Sequence, residues 1–167
     1  MKNIVLIGMP GSGKSTLGVL LAKIAGFSFL DSDLLIQSKV GKKLYRILDE
    51  DGADYFKAVE NEVNSQIDVT STVIATGGSV VYGNDAMEHL KKIGTVVYIK
   101  VSLNELLKRI DNMATRGIVK SPDETFKDLY TERTGLYEKY ADIVVECEDS
   151  DLNVNVQKIA TALGLSL

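Results

Sequence analysis

The sequence GMPGSGKST, at residues 8–16, follows a short apolar run and precedes a segment with helical apolar periodicity. It meets the pattern G-x-x-x-x-G-K-[ST] of a phosphate-binding loop, or P-loop. Glycines let backbone N–H groups approach a phosphate closely, and the N-terminus of the following helix adds the positive end of its dipole. The stretch therefore predicts a strand, a phosphate loop and a helix, in that order.

The residue types within this loop predict how it would hold a nucleotide. Lys14 can reach the β- and γ-phosphates as a point charge, and the Ser15 hydroxyl can ligate Mg²⁺. The residues predicted to bind the nucleotide here are Gly11, Ser12, Gly13, Lys14, Ser15 and Thr16.

Length and composition predict an ordinary globular protein with one domain over residues 1–167. The chain has 45% hydrophobic and 25% charged residues, which are typical values. A net charge of −4 argues against nucleic acid or an anionic membrane surface as a partner. No apolar run approaches the roughly 18 residues that span a bilayer. With a single cysteine, Cys147, which we expect to be buried in a late strand, we predict a cytoplasmic protein. We expect it to be a monomer.

Short runs rich in Val, Ile and Tyr alternate with helical patterns along the chain. Runs such as IVLIG and VVYI are continuously apolar, as in parallel strands covered by helices on both faces. This predicts a three-layer α/β fold with ligands at the carboxyl ends of its strands. Strands are predicted at Asn3–Gly8, Phe27–Asp31, Thr72–Thr76, Thr95–Val101 and Asp142–Glu146. Helices are predicted at Lys14–Ala25, Asp33–Gln37, Lys43–Leu48, Asp51–Val69, Asp85–Lys92, Leu103–Ile110, Pro122–Tyr140 and Leu152–Leu163.

The segment at residues 111–121, DNMATRGIVKS, has no clean periodicity and separates two predicted helices. A loop of this length in a small domain is more often functional than idle. In a P-loop enzyme it is the expected place for a lid that closes over phosphates. We therefore predict a short lid there, with Arg116 as its cation.

Two further motifs lie at predicted strand ends. Asp31 and Asp33 could hold Mg²⁺ through water and orient a substrate hydroxyl, although either could instead cap a helix. Gly77 and Gly78 permit close approach of a ligand to the backbone, although a tight turn would also use them. Arg133, like Arg116, could meet an anion or simply be solvated. His89, the single histidine, is expected to take no part in catalysis.

Taken together, these residues resemble the shikimate kinase family over nearly the full length of the chain. The resemblance runs through the P-loop, the D-S-D pair, the F-K-x-x-E stretch, the glycines after a strand, the lid arginine and R-x-x-L-Y. That family has a five-stranded parallel sheet and a lid, and it transfers the γ-phosphate of ATP to the 3-hydroxyl of shikimate, with Mg²⁺.

The resemblance implies a role for each matching residue. Lys14, Asp33 and Arg116 would be catalytic, with Asp33 as the base and Arg116 on the phosphates. Arg109 would lie against the adenine, and Ser15 and Asp31 would hold Mg²⁺, the latter through water. The acceptor would be bound through a helical segment at about residues 33–62 and beyond it, by Asp33, Lys57, Glu60, Gly77, Gly78 and Arg133.

This chain departs from the family pattern at three positions. Lys57 replaces an arginine that pairs with the substrate carboxylate, and lysine lacks the bidentate fork. Thr76 replaces the first glycine of G-G-G, and Gly117 replaces the proline after the lid arginine. Two alternatives therefore stay open: a kinase of another hydroxy acid such as gluconate, and a nucleotide-binding regulatory module without turnover.

Overall fold

A computed structural model of the chain describes residues 2–110 and 124–166. Within them, one sheet contains strands β1 (Asn3–Ile7), β2 (Ser28–Asp31), β3 (Thr72–Ala75), β4 (Gly94–Lys100) and β5 (Ile143–Glu146). All pairings are parallel, in the spatial order β2-β3-β1-β4-β5. The predicted five-stranded parallel sheet is confirmed, and each strand end lies within one residue of its predicted position.

Helices cover both faces of this sheet, as the apolar strands require. They are α1 (Lys14–Ala25), α2 (Ser32–Val40), α3 (Leu44–Asp51), α4 (Ala53–Ser65), α5 (Asn84–Ile93), α6 (Leu103–Arg109), α7 (Phe126–Tyr140) and α8 (Leu152–Ala162). A short 3₁₀ turn, Val80–Tyr82, follows β3. None of the helices within residues 2–110 and 124–166 is long and apolar enough to cross a membrane.

The apolar side chains form two clusters. The larger one surrounds β1, whose residues are all buried, and it includes Leu6, Ile74 and Val97. The smaller one lies beneath α2, α3 and α4, with Ile36 and Phe56 among its members. The second cluster gives the segment that connects β2 to β3 a packed interior of its own beside the sheet.

Two helix predictions need correction. The helix predicted at Asp51–Val69 is interrupted at its start, because Gly52 has a φ of 88° and separates α3 from α4. The helix predicted to start at Pro122 starts at Phe126 instead. The Thr125 hydroxyl accepts a hydrogen bond from the Asp128 N–H, and the Asp128 carboxylate accepts one from the Thr125 N–H. This capping box fixes the start of α7, while residue 122 lies outside the described residues.

Cys147 is buried, as expected, but directly after β5 rather than within it, and its N–H donates to the Lys100 carbonyl oxygen at 2.9 Å. Burial raises the pKa of its thiol to about 11.

Candidate active site

The phosphate loop leaves the central strand β1 and enters α1. Gly8 has a φ of 151°, and a Cβ there would lie 2.7 Å from the Ile99 carbonyl oxygen, so the loop starts at a position that favours glycine. The Lys14 side chain is buried, and its Nζ donates to the carbonyl oxygens of Gly8 and Met9 at 2.8 and 2.9 Å. The ammonium group is therefore held inside the loop that the motif predicts to bind phosphate.

Ser15 and Asp31 meet where α1 begins and β2 ends. The Ser15 hydroxyl donates to Asp31 Oδ2 at 3.1 Å, while Asp31 Oδ1 accepts from the Asp33 N–H at 3.0 Å and caps α2. Asp31 can therefore cap α2 and also ligate a metal ion, because the cap uses Oδ1 and leaves Oδ2 beside the Ser15 hydroxyl. Hydroxyl and carboxylate oxygens suit Mg²⁺, which keeps waters and phosphate oxygens as its other ligands. Within residues 2–110 and 124–166, no cluster of three acidic, histidine or cysteine side chains offers a closed metal cage.

Asp33 lies in the first turn of α2, at the wall of a cleft of about 380 Å³ that also includes the phosphate loop. Burial and the neighbouring Asp31 charge raise the pKa of Asp33 to about 6, against the opposing effect of Lys14. A carboxylate with this pKa is mostly ionised at neutral pH and is more basic than an ordinary aspartate. It therefore has the properties of a general base, in the cleft that the phosphate loop also lines.

Glu60, on α4, is buried beside Gly77. Its Oε1 accepts a hydrogen bond from the Ser79 hydroxyl at 2.5 Å, and its buried Oε2 has no hydrogen-bond partner among the residues that the structure describes. A Cβ on Gly77 would lie 2.8 Å from both Asp33 Oδ1 and Glu60 Oε2, so glycine leaves the room in which these two carboxyls converge. Burial raises the pKa of Glu60 to about 8, which the Ser79 hydrogen bond opposes and Asp33 reinforces.

Arg133, on α7, is 1% exposed, so the interpretation of a solvated arginine is wrong. A Cβ on Gly78 would lie 3.1 Å from Arg133 Nη1 and 2.7 Å from Pro10 Cδ. The Tyr137 hydroxyl donates to the Gly78 carbonyl oxygen at 2.5 Å. Gly78 is therefore enclosed by the phosphate loop and α7, and the guanidinium lies directly behind the cleft wall.

Lys57 lies one helical turn before Glu60, with its Nζ 4.3 Å from the centre of the Tyr82 ring. The Arg133 guanidinium lies 5.4 Å from the same centre, and its Nε donates to the Tyr82 hydroxyl at 3.4 Å. Neither Lys57 nor Arg133 lines the cleft itself. The structure thus brings the two predicted cations together around an aromatic ring at the edge of the site.

Thr76, the departure from the glycine triplet, turns its side chain into the fold. Its hydroxyl donates to the Leu6 carbonyl oxygen at 2.8 Å, and the residue is buried. The methyl-bearing side chain is therefore anchored to β1 by its hydroxyl.

A second cleft, of about 370 Å³, lies on the other side of the phosphate loop and includes Thr16, Arg109 and Asn155. Arg109 Nε bonds Glu105 Oε1 at 3.2 Å, and its Nη1 donates to the Gly11 carbonyl oxygen at 3.3 Å. The structure thus places the predicted base-contacting arginine against the loop. Arg116 and the rest of the predicted lid, residues 111–121, lie outside the described residues.

Several residues of the site escaped sequence reasoning. Ser79 holds Glu60, Tyr82 contacts both cations, and Gln37, Lys43 and Tyr45 line the first cleft. The signal for Ser79 was its place directly after the glycine pair. His89, for which we expected no part in catalysis, has a structural contact, with its Nε2 2.7 Å from the Ile67 carbonyl oxygen.

Comparisons with known proteins agree with this geometry. A family model described as shikimate kinase matches residues 10–164. The chain is 36% identical to a shikimate kinase from Sulfurihydrogenibium sp. (strain YO3AOP1), over 98% of each chain. A shikimate kinase from Acinetobacter baumannii, solved in complex with shikimate, superimposes with a TM-score of 0.89 at 30% identity, over 100% of this chain and 96% of its own.

A gluconokinase from Sinorhizobium meliloti 1021 superimposes with a TM-score of 0.54 at 16% identity, over 98% of this chain and 91% of its own. This second likeness shows the fold alone.

Proposed function

The chain belongs to the shikimate kinase family, and on that premise we propose that it transfers the γ-phosphoryl group of ATP to the 3-hydroxyl of shikimate. The products are ADP and 3-phosphoshikimate, in a step of chorismate and aromatic amino-acid biosynthesis. The observation that carries this proposal is the cleft that the phosphate loop, Asp33 and the glycine pair line together. The family match over residues 10–164 supports it.

ATP is the co-substrate, and its phosphates would lie on the loop N–H groups of residues 11–16 and on the Lys14 ammonium. The helix dipole of α1 favours the same anion. Arg109 would contact the adenine from the second cleft, where Glu105 and the Gly11 carbonyl hold its guanidinium. We assign Arg116 to the phosphates by its match to the family's lid arginine.

We propose that Ser15 and Asp31 hold Mg²⁺, with Asp31 acting through water. Their hydroxyl and carboxylate oxygens are 3.1 Å apart and are of the type that Mg²⁺ prefers. When bound, the ion would neutralise charge on the β- and γ-phosphates.

Asp33 would act as the general base for the acceptor. The 3-hydroxyl oxygen forms a bond to the γ-phosphorus, the bond from that phosphorus to the β,γ-bridging oxygen breaks, and the hydroxyl proton passes to the Asp33 carboxylate. ADP leaves with the bridging oxygen. Lys14 and Arg116 stabilise the charge on the transferring group, so all three residues are assigned catalytic roles.

The acceptor end would bind shikimate through three kinds of contact. Gly77 and Gly78 offer backbone atoms, Asp33 and Glu60 face the ring hydroxyls, and Lys57 and Arg133 supply positive charge for the carboxylate. Asp33 and Glu60 converge on Gly77, which supports assigning these two carboxyls to the ring hydroxyls.

We further propose one domain over residues 1–167, working as a monomer in the cytoplasm, with a lid at about 111–121 and an acceptor-binding segment at about 33–62. The small cluster beneath α2, α3 and α4 supports the last assignment, because it holds these helices beside the cleft. Light scattering after size-exclusion chromatography tests the monomer directly.

The decisive experiment is a coupled ADP-release assay with ATP and Mg²⁺ against shikimate, quinate, gluconate and no acceptor. Saturable release with shikimate alone is the expected result. Release only with gluconate would move the activity to another hydroxy acid, and ATP binding without any release would indicate a regulatory module.

A further inference from the structure

We propose that Tyr82 is a positioning residue that sets acceptor affinity by holding Lys57 and Arg133 in place. This inference rests on the proposed function, because it concerns the carboxylate end of the same site. It extends that function to a residue outside the lining of the cleft, and it accounts for how a lysine can serve at position 57.

The first step is the contact between Tyr82 and both cations. Lys57 Nζ lies 4.3 Å and Arg133 Cζ 5.4 Å from the centre of the ring. The face of an aromatic ring attracts cations within about 6 Å of its centroid. One ring therefore stabilises two positive charges that would otherwise repel each other.

The second step is the hydroxyl, which ties the ring to α7. It donates to Glu132 Oε1 at 2.9 Å and accepts from Arg133 Nε at 3.4 Å. The Glu132 carboxylate therefore orients the hydroxyl so that a lone pair faces the guanidinium. With its Nε engaged, Arg133 keeps Nη1 directed at Gly78 and the cleft wall.

The third step is the anchoring of Tyr82 itself. It ends the 3₁₀ turn, with its N–H donating to the Ser79 carbonyl oxygen at 3.1 Å. On α4, Glu60 bonds the Ser79 hydroxyl, and Asn61 Oδ1 accepts from the Ala86 N–H at 2.9 Å. Two hydrogen bonds, one on each side of Tyr82 along the chain, thus hold this segment against α4, the helix that also carries Lys57.

These contacts compensate for the missing guanidinium at position 57. A lysine side chain has a flexible four-carbon stem and makes no bidentate pair, so it needs an external restraint to present its charge in one place. The Tyr82 ring supplies that restraint. Acceptor binding should therefore depend on the ring through Lys57 and on the hydroxyl through Arg133.

The test compares Tyr82→Phe and Tyr82→Leu in the ADP-release assay. We expect Tyr82→Phe, which keeps the ring, to raise the KM for shikimate by about threefold, and Tyr82→Leu to raise it by about tenfold or more. In both variants the kcat should stay within about twofold, and the KM for ATP should not change. Tyr140→Leu is the matched control, because Lys139 Nζ lies 5.0 Å from the Tyr140 ring and Tyr140 lines neither of the two clefts.

A double-mutant cycle with Lys57→Met tests the route through the lysine. Tyr82→Leu should raise the KM for shikimate by a smaller factor in the Lys57→Met background than in the wild type. If Tyr82→Leu raises the KM for shikimate by the same factor in both backgrounds, or raises the KM for ATP in parallel, the inference is overturned while shikimate phosphorylation stays intact. Absence of shikimate turnover by the wild type would overturn the proposed function instead, and this inference with it. Circular dichroism melting of each variant separates a loss of folding from a loss of acceptor affinity.

Discussion

The Asp33 carboxyl is partly buried beside an anion, Asp31, and a cation, Lys14, and the balance of these effects raises its pKa to about 6. A general base must be unprotonated, so kcat/KM for shikimate should fall about tenfold per pH unit below about pH 6. Asp31→Asn keeps a helix cap but removes the neighbouring negative charge, which should lower the pKa of Asp33.

The measurement is the pH profile of kcat/KM for the wild type, Asp31→Asn and the surface control Glu62→Gln. The acid limb should move to lower pH in Asp31→Asn alone. If the acid limb of the Asp31→Asn profile stays in place or moves to higher pH, the limb reports a group other than Asp33.

Lys57 is the position at which an arginine can be restored. Lys57→Arg should lower the KM for shikimate by about threefold, because a guanidinium can stack on Tyr82 and also pair bidentately with a carboxylate. The measurement is the KM for shikimate at saturating ATP, with Lys39→Arg, at a surface ion pair, as the control. A raised KM would mean that the site is shaped around an ammonium group.

For individual residues, sequence reasoning succeeded where the residues that meet are close along the chain. Lys14, Ser15 and the D-S-D pair came together as predicted, because the P-loop and the end of β2 are fixed by local patterns. The Tyr82 contacts with Lys57 and Arg133 could not be predicted, since they join residues 25 and 51 positions apart. Their geometry depends on how α4 and α7 pack around the 3₁₀ turn.

At the element scale, α7 positions Arg133 and Tyr137, and its start is set by the capping box of Thr125 and Asp128. Thr125→Ala removes the oxygen that accepts from the Asp128 N–H and should lower the free energy of unfolding by about 1 kcal/mol. Urea denaturation measures it. The matched control is Thr131→Ala within the same helix, because the Thr131 hydroxyl donates to the Lys127 carbonyl oxygen and does not cap the helix. If Thr131→Ala lowers the free energy of unfolding as much as Thr125→Ala does, the loss of the cap is not the cause of the destabilisation.

The same helix shows why element ends were harder to predict than elements. Proline followed by two acidic residues is a good start signal, yet the observed start is at Phe126, because reciprocal side-chain bonds select it. Similarly, the apolar pattern through residues 51–69 does not reveal that Gly52 adopts a positive φ between two helices. The ends of β1, β3 and β4 were better predicted, because their continuous apolar runs coincide with burial on both faces of the sheet.

At the scale of the whole molecule, the fold holds two acidic groups with raised pKa values around Gly77. The pKa of Glu60 rises from 4.5 to about 8 and that of Asp33 from 3.8 to about 6, in each case chiefly because of burial. The folded state therefore binds these protons more tightly than the unfolded chain does. Their contribution to stability is complete below the unfolded pKa values, and it is lost as the pH rises through the folded ones.

Glu60→Gln tests this linkage for the larger of the two shifts. The amide keeps an oxygen for the Ser79 hydroxyl but carries no ionisable proton, so the variant should lose less stability than the wild type between about pH 5 and about pH 9. Each unit of pKa difference corresponds to roughly 1.4 kcal/mol, and the variant should be the more stable protein at the alkaline end. Urea unfolding across that range, with the exposed Glu62→Gln as the control, measures the difference. Parallel pH curves for Glu60→Gln and the wild type would mean that Glu60 is already ionised in the folded state, and its charge would then have to be balanced by Lys57 and Arg133.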